Sequence, residues 1–339
     1  FQLSNDFHVR RVIRNYLPND EESKHCATLL QWDNIYYQPP TQAIVEKRPT
    51  VRIGMVQWQM RPYHSIDDLF EQVEFFVDSV SDYKSDFILF PEYFNAPLMA
   101  RFNDMGEAQS IRAMAQYTEK IRDRFVEFAI SYNINIITGS MPFVKEDGAL
   151  YNVGFLCRRD GSYEMYEKIH VTPDEQKCWG LTGGSHVQTF DTDCGKIGIL
   201  ICYDVEFPEL SRLMADDGMQ ILFVPFMTDT QNAYSRVRVC AQARAIENEC
   251  YVAIAGSVGN LPRVHNMDIQ YAQSAVFTPC DFAFPTDGKR SEATPNTEMI
   301  LVSDVDLNLL NELHTYGSVR NLRDRRNDLY ELRMKPAAK

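Results

Sequence analysis

The chain has 339 residues, is 45% apolar, and carries 34 Lys plus Arg against 47 Asp plus Glu, a formal net charge of −13. That apolar content supports a substantial core, in one large domain or two small ones. The acidic balance is repelled by phosphate backbones, which argues against a nucleic-acid partner, and no stretch approaches the ~20 consecutive apolar residues of a membrane span.

Residues 1–48 mix charge, aromatics and a Pro39-Pro40 break. They read either as an N-terminal arm packed on the main domain or as the end of a preceding domain, and a first residue that is Phe rather than Met favours an excised piece. From Val51 the pattern becomes regular. "VRIGMVQW" (51–58) predicts a buried strand. "SIDDLFEQVEFFVDSVSD" (65–82) places Ile66, Leu69, Phe70, Val73, Phe76, Val77 and Val80 on one helical face, behind a Ser65/Asp68 capping pair. "DFILFPE" (86–92) predicts a second strand, residues 110–132 a second amphipathic helix, and "INIITGS" (134–140) a third strand.

Hairpins follow, one over 149–168 turning at Asp160-Gly161 and one over 186–202 turning near Cys194-Gly195. Residues 206–218 predict a short helix closed by Gly218. Strands are expected over 219–225 and 250–260, with a helix over 231–249 between them. "SAVFTP" and "EMILVSDVDL" predict further strands, separated by a polar loop at 280–298. Helices alternate with strands in both halves, so the expected class is α/β, a mixed sheet system covered by helices in layers. Residues 49–310 read as one domain. Residues 311–339 read as a tail, either solvated or docked on a partner subunit; its last twenty residues carry seven basic and three acidic side chains.

Eight cysteines sit at 26, 157, 178, 194, 202, 240, 250 and 280 without a Cys-x-x-Cys pair. This argues against a zinc knuckle or a redox pair, and a chain of this size needs no disulfide staples, so the reading is a reduced, cytoplasmic protein.

Loops that follow the strands of an α/β sheet are where ligand sites form, and three polar residues occupy such places. Glu92 in "FILFPEYF" is either an exposed loop carboxylate or a half-buried one whose raised pKa suits a general base. Lys168 in "YEMYEKIHVTPDE" is either a snorkelling surface lysine or a placed cation. Cys202 in "GILICYDVEFPEL" stands where a strand stops and a helix begins. Such a turn exposes the side chain and aims free helix N–H groups at it, which favours a thiolate. The position suits an inert buried cysteine equally well. Glu175 reads by itself as a salt-bridge partner, and His170 as structural or at most substrate-near.

Taken in order, Glu in "FPE", Lys in "EKIH" and Cys in "ICYDVEFPE" resemble the Glu–Lys–Cys triad of the nitrilase superfamily, the carbon–nitrogen hydrolases. "GMVQ" in the first strand, "YN" at 151–152 and "ARAIENECYV" agree, and the resemblance covers roughly residues 51–310. It implies a four-layer αββα sandwich that associates into homodimers or higher homo-oligomers, with contacts through the helix at 206–217. It further implies Cys202 as nucleophile, Glu92 as general base, Lys168 as the cation facing the tetrahedral intermediate, and Glu175 as a second glutamate orienting substrate or water. No metal and no cofactor is implied.

The expected activity is hydrolysis of a small amide, omega-amide or N-carbamoyl compound through a thioester, with a nitrile a lesser prospect. Acyl transfer by the same triad and a catalytically silent binding protein are the alternatives. Tyr93, His170, Trp179, Tyr203, Phe226, Met227 and Thr228 lie near the triad segments and are read as pocket candidates, or equally as packing residues. A second, weaker resemblance attaches to "HVRRVIRNYLPNDEES", which looks like the junction left by a preceding acetyltransferase-like domain of the GNAT type.

Overall fold

The computed structural model describes residues 7–13, 19–32, 50–102, 104–262, 264 and 267–335. The chain divides into two compact units, Phe1–Glu46 and Lys47–Lys339. In the first, β1 (Phe7–Ile13) pairs antiparallel with β2 (Ala27–Trp32), with a register shift between Val9 and Arg11. Much of the remainder of 1–48, including most of the stretch that looks like a domain junction, lies outside the described residues.

The second unit begins with β3 (Thr50–Met60), α1 (Ile66–Asp82) and β4 (Phe87–Leu89). All seven residues expected on the buried face of α1 are buried. Ser65 caps the helix as a full box, its hydroxyl accepting from the Asp68 N–H while the Asp68 carboxylate accepts from the Ser65 N–H. The single helix expected over 110–132 is instead two, α2 (Glu107–Met114) and α3 (Thr118–Ser131), joined by a 3-10 turn at Ala115–Tyr117. Of the six residues expected on its apolar face, Ile111, Met114, Ile121, Phe125 and Phe128 are buried, while Tyr132, the residue that caps α3, is only partly so.

Next come β5 (Asn135–Ile137), β6 (Met141–Val144) and the hairpin β7 (Leu150–Cys157) to β8 (Tyr163–Glu167). A second hairpin, β9 (Thr189–Thr192) to β10 (Gly195–Ile199), leads to α4 (Pro208–Asp216) and β11 (Ile221–Phe226). The chain continues through α5 (Gln231–Glu247), β12 (Tyr251–Asn260), β13 (Ile269–Gln270) and β14 (Ala275–Phe277). The loop expected at 280–298 holds a strand, β15 (Lys289–Glu292), which its polar sequence concealed. After β16 (Met299–Asp306), the helix α6 (Leu307–Tyr316) runs across position 310.

Six strands run parallel in the order β5-β4-β3-β12-β11-β10. Between β3 and β12 the pairing is confined to their last residues, Trp58 to Met60 against Ser257 to Gly259. The sheet therefore opens into two leaves joined along that short seam. Period-two alternation sorts the side chains. Val51, Ile53, Met55, Phe87 and Leu89 point between the leaves and share a core with Ile197, Ile221 and Phe223. The rings of Phe87 and Phe223 lie 5.2 Å apart across that core. Val56, Trp58, Ile88 and Phe90 point outward and pack with the buried face of α1 and α3. The other leaf is covered in the same way by α5, whose Tyr234 meets Phe226 of β11. The result is a layered αββα sandwich. Among the described residues no helix is long and apolar enough to cross a membrane.

Candidate active site

Parallel strands end on one side of a sheet, and loops that follow those ends share that side. Glu92 follows β4 and forms an isolated bridge with Ser140 after β5. Cys202 follows β10 after Leu200 and Ile201, so the strand stops short of the cysteine it was expected to reach. Lys168 comes just after β8, its N–H donating to the Asn152 carbonyl at 2.9 Å. Two of these loops contain non-glycine residues in the left-handed region: Tyr93 at φ 49° and Cys202 at φ 48°. Backbone held in that region by its surroundings is strain of the kind that gathers at functional sites. At Cys202 it marks the sharp reversal into the 3-10 turn Cys202–Glu206.

The four residues expected to act together do meet. The Lys168 ammonium donates to Glu92 Oε1 at 2.8 Å and to both oxygens of Glu175 at 2.8 Å. Glu92 and Lys168 are each only 2% exposed and Cys202 7%. The other Glu92 oxygen accepts from the Met227 N–H at 3.0 Å, which ties the first leaf to the second. The Cys202 thiol donates to the Met227 carbonyl at 3.6 Å, and its sulfur lies close enough to the Glu92 carboxyl for the two to influence each other's ionisation. Glu175 is fixed by the Thr172 N–H at 2.8 Å and by the Tyr93 hydroxyl at 3.3 Å.

Charge follows from this geometry. Burial pushes the Glu92 carboxyl above its ordinary value, and Lys168 offsets part of that rise. Burial works against the Lys168 ammonium, but Glu175 and Glu92 outweigh it and raise its pKa well above the usual lysine value. Burial, followed by the nearby Glu92 carboxylate, lifts the Cys202 thiol well above its ordinary value. Lys168 is thus held as an ammonium, while burial favours the protonated forms of both the Glu92 carboxyl and the Cys202 thiol beside it.

A cavity of about 710 Å³ opens over this cluster. It is lined by Glu92, Lys168, Glu175 and Cys202, and by Tyr93, Trp179, Tyr203, Met227 and Thr228 among the expected pocket residues. Two expected residues do not reach it. Phe226, on the alternate face of β11, points at α5 instead. His170 turns away to stack on Phe207, with ring centroids 3.6 Å apart, and its Nδ1 lies 2.9 Å from Asp204. Thr228 lines the wall, but its hydroxyl donates to the Tyr271 carbonyl at 2.6 Å.

Comparison with known proteins decides the family. Residues 52–315 match the carbon–nitrogen hydrolase family. The chain belongs to that family. It is 47% identical over 336 residues to the probable hydrolase YhcX of Bacillus subtilis (strain 168), covering 99% of this chain and 65% of that protein's length. It is 28% identical over 299 residues to the omega-amidase NIT2 of Homo sapiens, covering 84% of this chain and 98% of that one. In fold it resembles the carbon–nitrogen hydrolase from Helicobacter pylori G27, with a TM-score of 0.71 at 20% identity over 84% of this chain and 98% of that chain.

This member of the carbon–nitrogen hydrolase family positions its cluster with three side chains that the sequence reading left without roles. Asn152 donates to Glu92 Oε1 at 2.9 Å while its carbonyl holds the Lys168 backbone, so one residue registers both. Asp204, fully buried, accepts from the N–H groups of Ile169 at 3.0 Å and His170 at 2.7 Å. It locks the turn that carries Cys202 to the loop that carries Lys168. Arg244 of α5 donates to the carbonyls of Val205 at 2.9 Å and Glu206 at 3.2 Å, closing the far end of the same turn. Each residue lay inside a quoted motif, "YN", "ICYDVEFPE" or "ARAIENECYV". The available signal was a charged or amide side chain amid apolar neighbours, which needs a buried partner. Gln57 of "GMVQ" does similar work elsewhere, donating to the carbonyls of Thr294 and Thr297 and accepting from the Ser274 N–H.

Proposed function

We propose that this chain hydrolyses the carbon–nitrogen bond of a small amide, omega-amide or N-carbamoyl compound through a cysteine thioester. The observation that carries the reading is the convergence of the Cys202 thiol, the Glu92 carboxylate and the Lys168 ammonium on one cavity. As substrate binds, Glu92 takes the thiol proton and Cys202 Sγ bonds to the carbonyl carbon. The oxygen becomes negative and is met by Lys168 and by the Tyr203 N–H at the start of the 3-10 turn. Protonated Glu92 then gives its proton to the nitrogen, the C–N bond breaks, and ammonia or an amine leaves. Water, deprotonated by Glu92 with Glu175 orienting it, attacks the thioester and releases the acid and the thiol.

Support also comes from the relatives, one named a probable hydrolase and one an omega-amidase. The decisive experiment is an ammonia-release screen over amides, N-carbamoyl compounds and nitriles, with Cys202→Ala as the blank. Turnover should vanish in the blank. Turnover that persists there removes Cys202 from the mechanism, and hydroxamate formation with added hydroxylamine would redirect the reading to acyl transfer.

Three broader parts of the reading are proposals of the same kind. A reducing, cytoplasmic setting fits eight free cysteines. Homodimerisation through the segment at 206–217 is checked by mass in solution. A GNAT-type domain ahead of residues 1–48 is checked by sequencing the complete reading frame; the chain spans 65% of the length of its relative in Bacillus subtilis.

A further inference from the structure

The cavity wall divides into a buried floor and an open mouth of distinct charge. The floor holds the Glu92, Glu175 and Lys168 cluster. The mouth is lined by Asp174, Glu206, Asp229 and Asp268, against a single described cation, Arg236. Arg236 is already paired with Glu206 at 3.4 Å. Among the described residues the carboxylates of Asp174, Asp229 and Asp268 have no cationic partner. Tyr93, Trp179 and Tyr203 add aromatic surface to the same wall.

Resting on the proposed hydrolysis, we infer that the substrate of this site carries a positive charge at the end remote from the scissile amide. A cleft lined by one sign of charge concentrates ligands of the opposite sign, and aromatic faces accept ammonium groups as well. A substrate ending in a carboxylate meets three like charges that have no cationic partner among the described residues, and an arginine that is occupied. Only a substrate ending in an ammonium completes the mouth. Each exposed pair is worth little alone, so the three together set a preference of about tenfold, and salt weakens it.

Three amides of matched length isolate the charge: 5-aminopentanamide, pentanamide and glutaramate. The expected kcat/KM order is cation, neutral, anion, with about a tenfold span between the first and last that narrows at high salt. The triple variant Asp174→Asn, Asp229→Asn, Asp268→Asn should collapse the cation-to-anion ratio severalfold. Pentanamide or glutaramate turned over as well as 5-aminopentanamide overturns the inference and leaves the hydrolysis standing. A second readout needs no turnover. The rate at which aminoethyl and sulfonatoethyl methanethiosulfonate modify Cys202, mapped by peptide mass and normalised to glutathione, should favour the cation. Equal normalised rates, or a faster anion, overturn the inference whatever the enzyme hydrolyses. A Cys202 inert to both reagents, with no amide turned over, sinks the inference together with the proposed function.

Discussion

Glu92 is the residue on which the site's chemistry and its cost to the fold converge. Its folded pKa is raised, chiefly by burial. A carboxyl of that kind contributes stability that is complete below its unfolded pKa and is lost as pH rises through the folded one. Ionisation of Glu92 therefore works against folding. Lys168, with a pKa raised in turn, is charged in both states at neutral pH and keeps its full contribution until the pH climbs past the ordinary lysine range. Glu92→Gln should accordingly lower kcat by roughly a hundredfold or more, as losing a proton-transfer group does, while the thermal midpoint holds or rises because Glu175 still faces Lys168. A drop in midpoint along with activity, read by calorimetry, would make Glu92 a structural residue. The same raised pKa fixes a pH dependence. The acid limb of kcat/KM should titrate above about 4.3, the ordinary glutamate value, and should vanish in Glu92→Gln. Because Glu92 is ion-paired with Lys168, that limb belongs to the cluster.

Among the elements, the 3-10 turn from Cys202 to Glu206 matters most. A five-residue turn has little stability of its own. Asp204 anchors its front to the Lys168 loop, and Arg244 anchors its back to α5. Asp204→Asn keeps the shape but removes the charge from two backbone hydrogen bonds, a loss of about 1–3 kcal/mol. We expect kcat to fall tenfold or more, measured by steady-state kinetics, because loosening the turn moves the Cys202 sulfur away from Glu92. Elements of this kind explain what could be read beforehand. Long periodic segments such as α1 and the buried strands were legible because a packed face repeats in the sequence. The 3-10 break inside 110–132 and the strand β15 were not, since a turn of three residues and a four-residue polar strand carry no period. Of the cluster, Glu92, Lys168 and Cys202 were legible only as an ordered set resembling the triad of the nitrilase superfamily, since each one's place at a strand end left a bland reading open. His170 and Phe226 were misplaced because nearness in sequence does not say which face of a strand or loop a side chain takes. For Phe226 the alternation along β11 decides it, and for His170 the buried Asp204 carboxylate does.

For the molecule as a whole, no covalent staple assists the core, since all eight cysteines are free thiols. A protecting disulfide is commonly worth about 2–4 kcal/mol, so a reductant should leave the thermal midpoint unmoved and electrophoretic mobility the same with and without it. A shift in either would mean that thiols pair in solution. The stability instead rests on apolar burial between the leaves and under the helices.

The short seam between β3 and β12 gives that arrangement a mechanical character. Carboxylate and ammonium belong to one leaf and sulfur to the other, and of the parallel strands only β3 and β12 pair across them, along that seam. A spreading of the leaves by a fraction of a bond length would part the Cys202 sulfur from the Glu92 carboxyl long before either leaf melted. Under the proposed hydrolysis, turnover becomes a gauge of how tightly the book is shut, and it should fade under pressure or mild denaturant while each page remains intact.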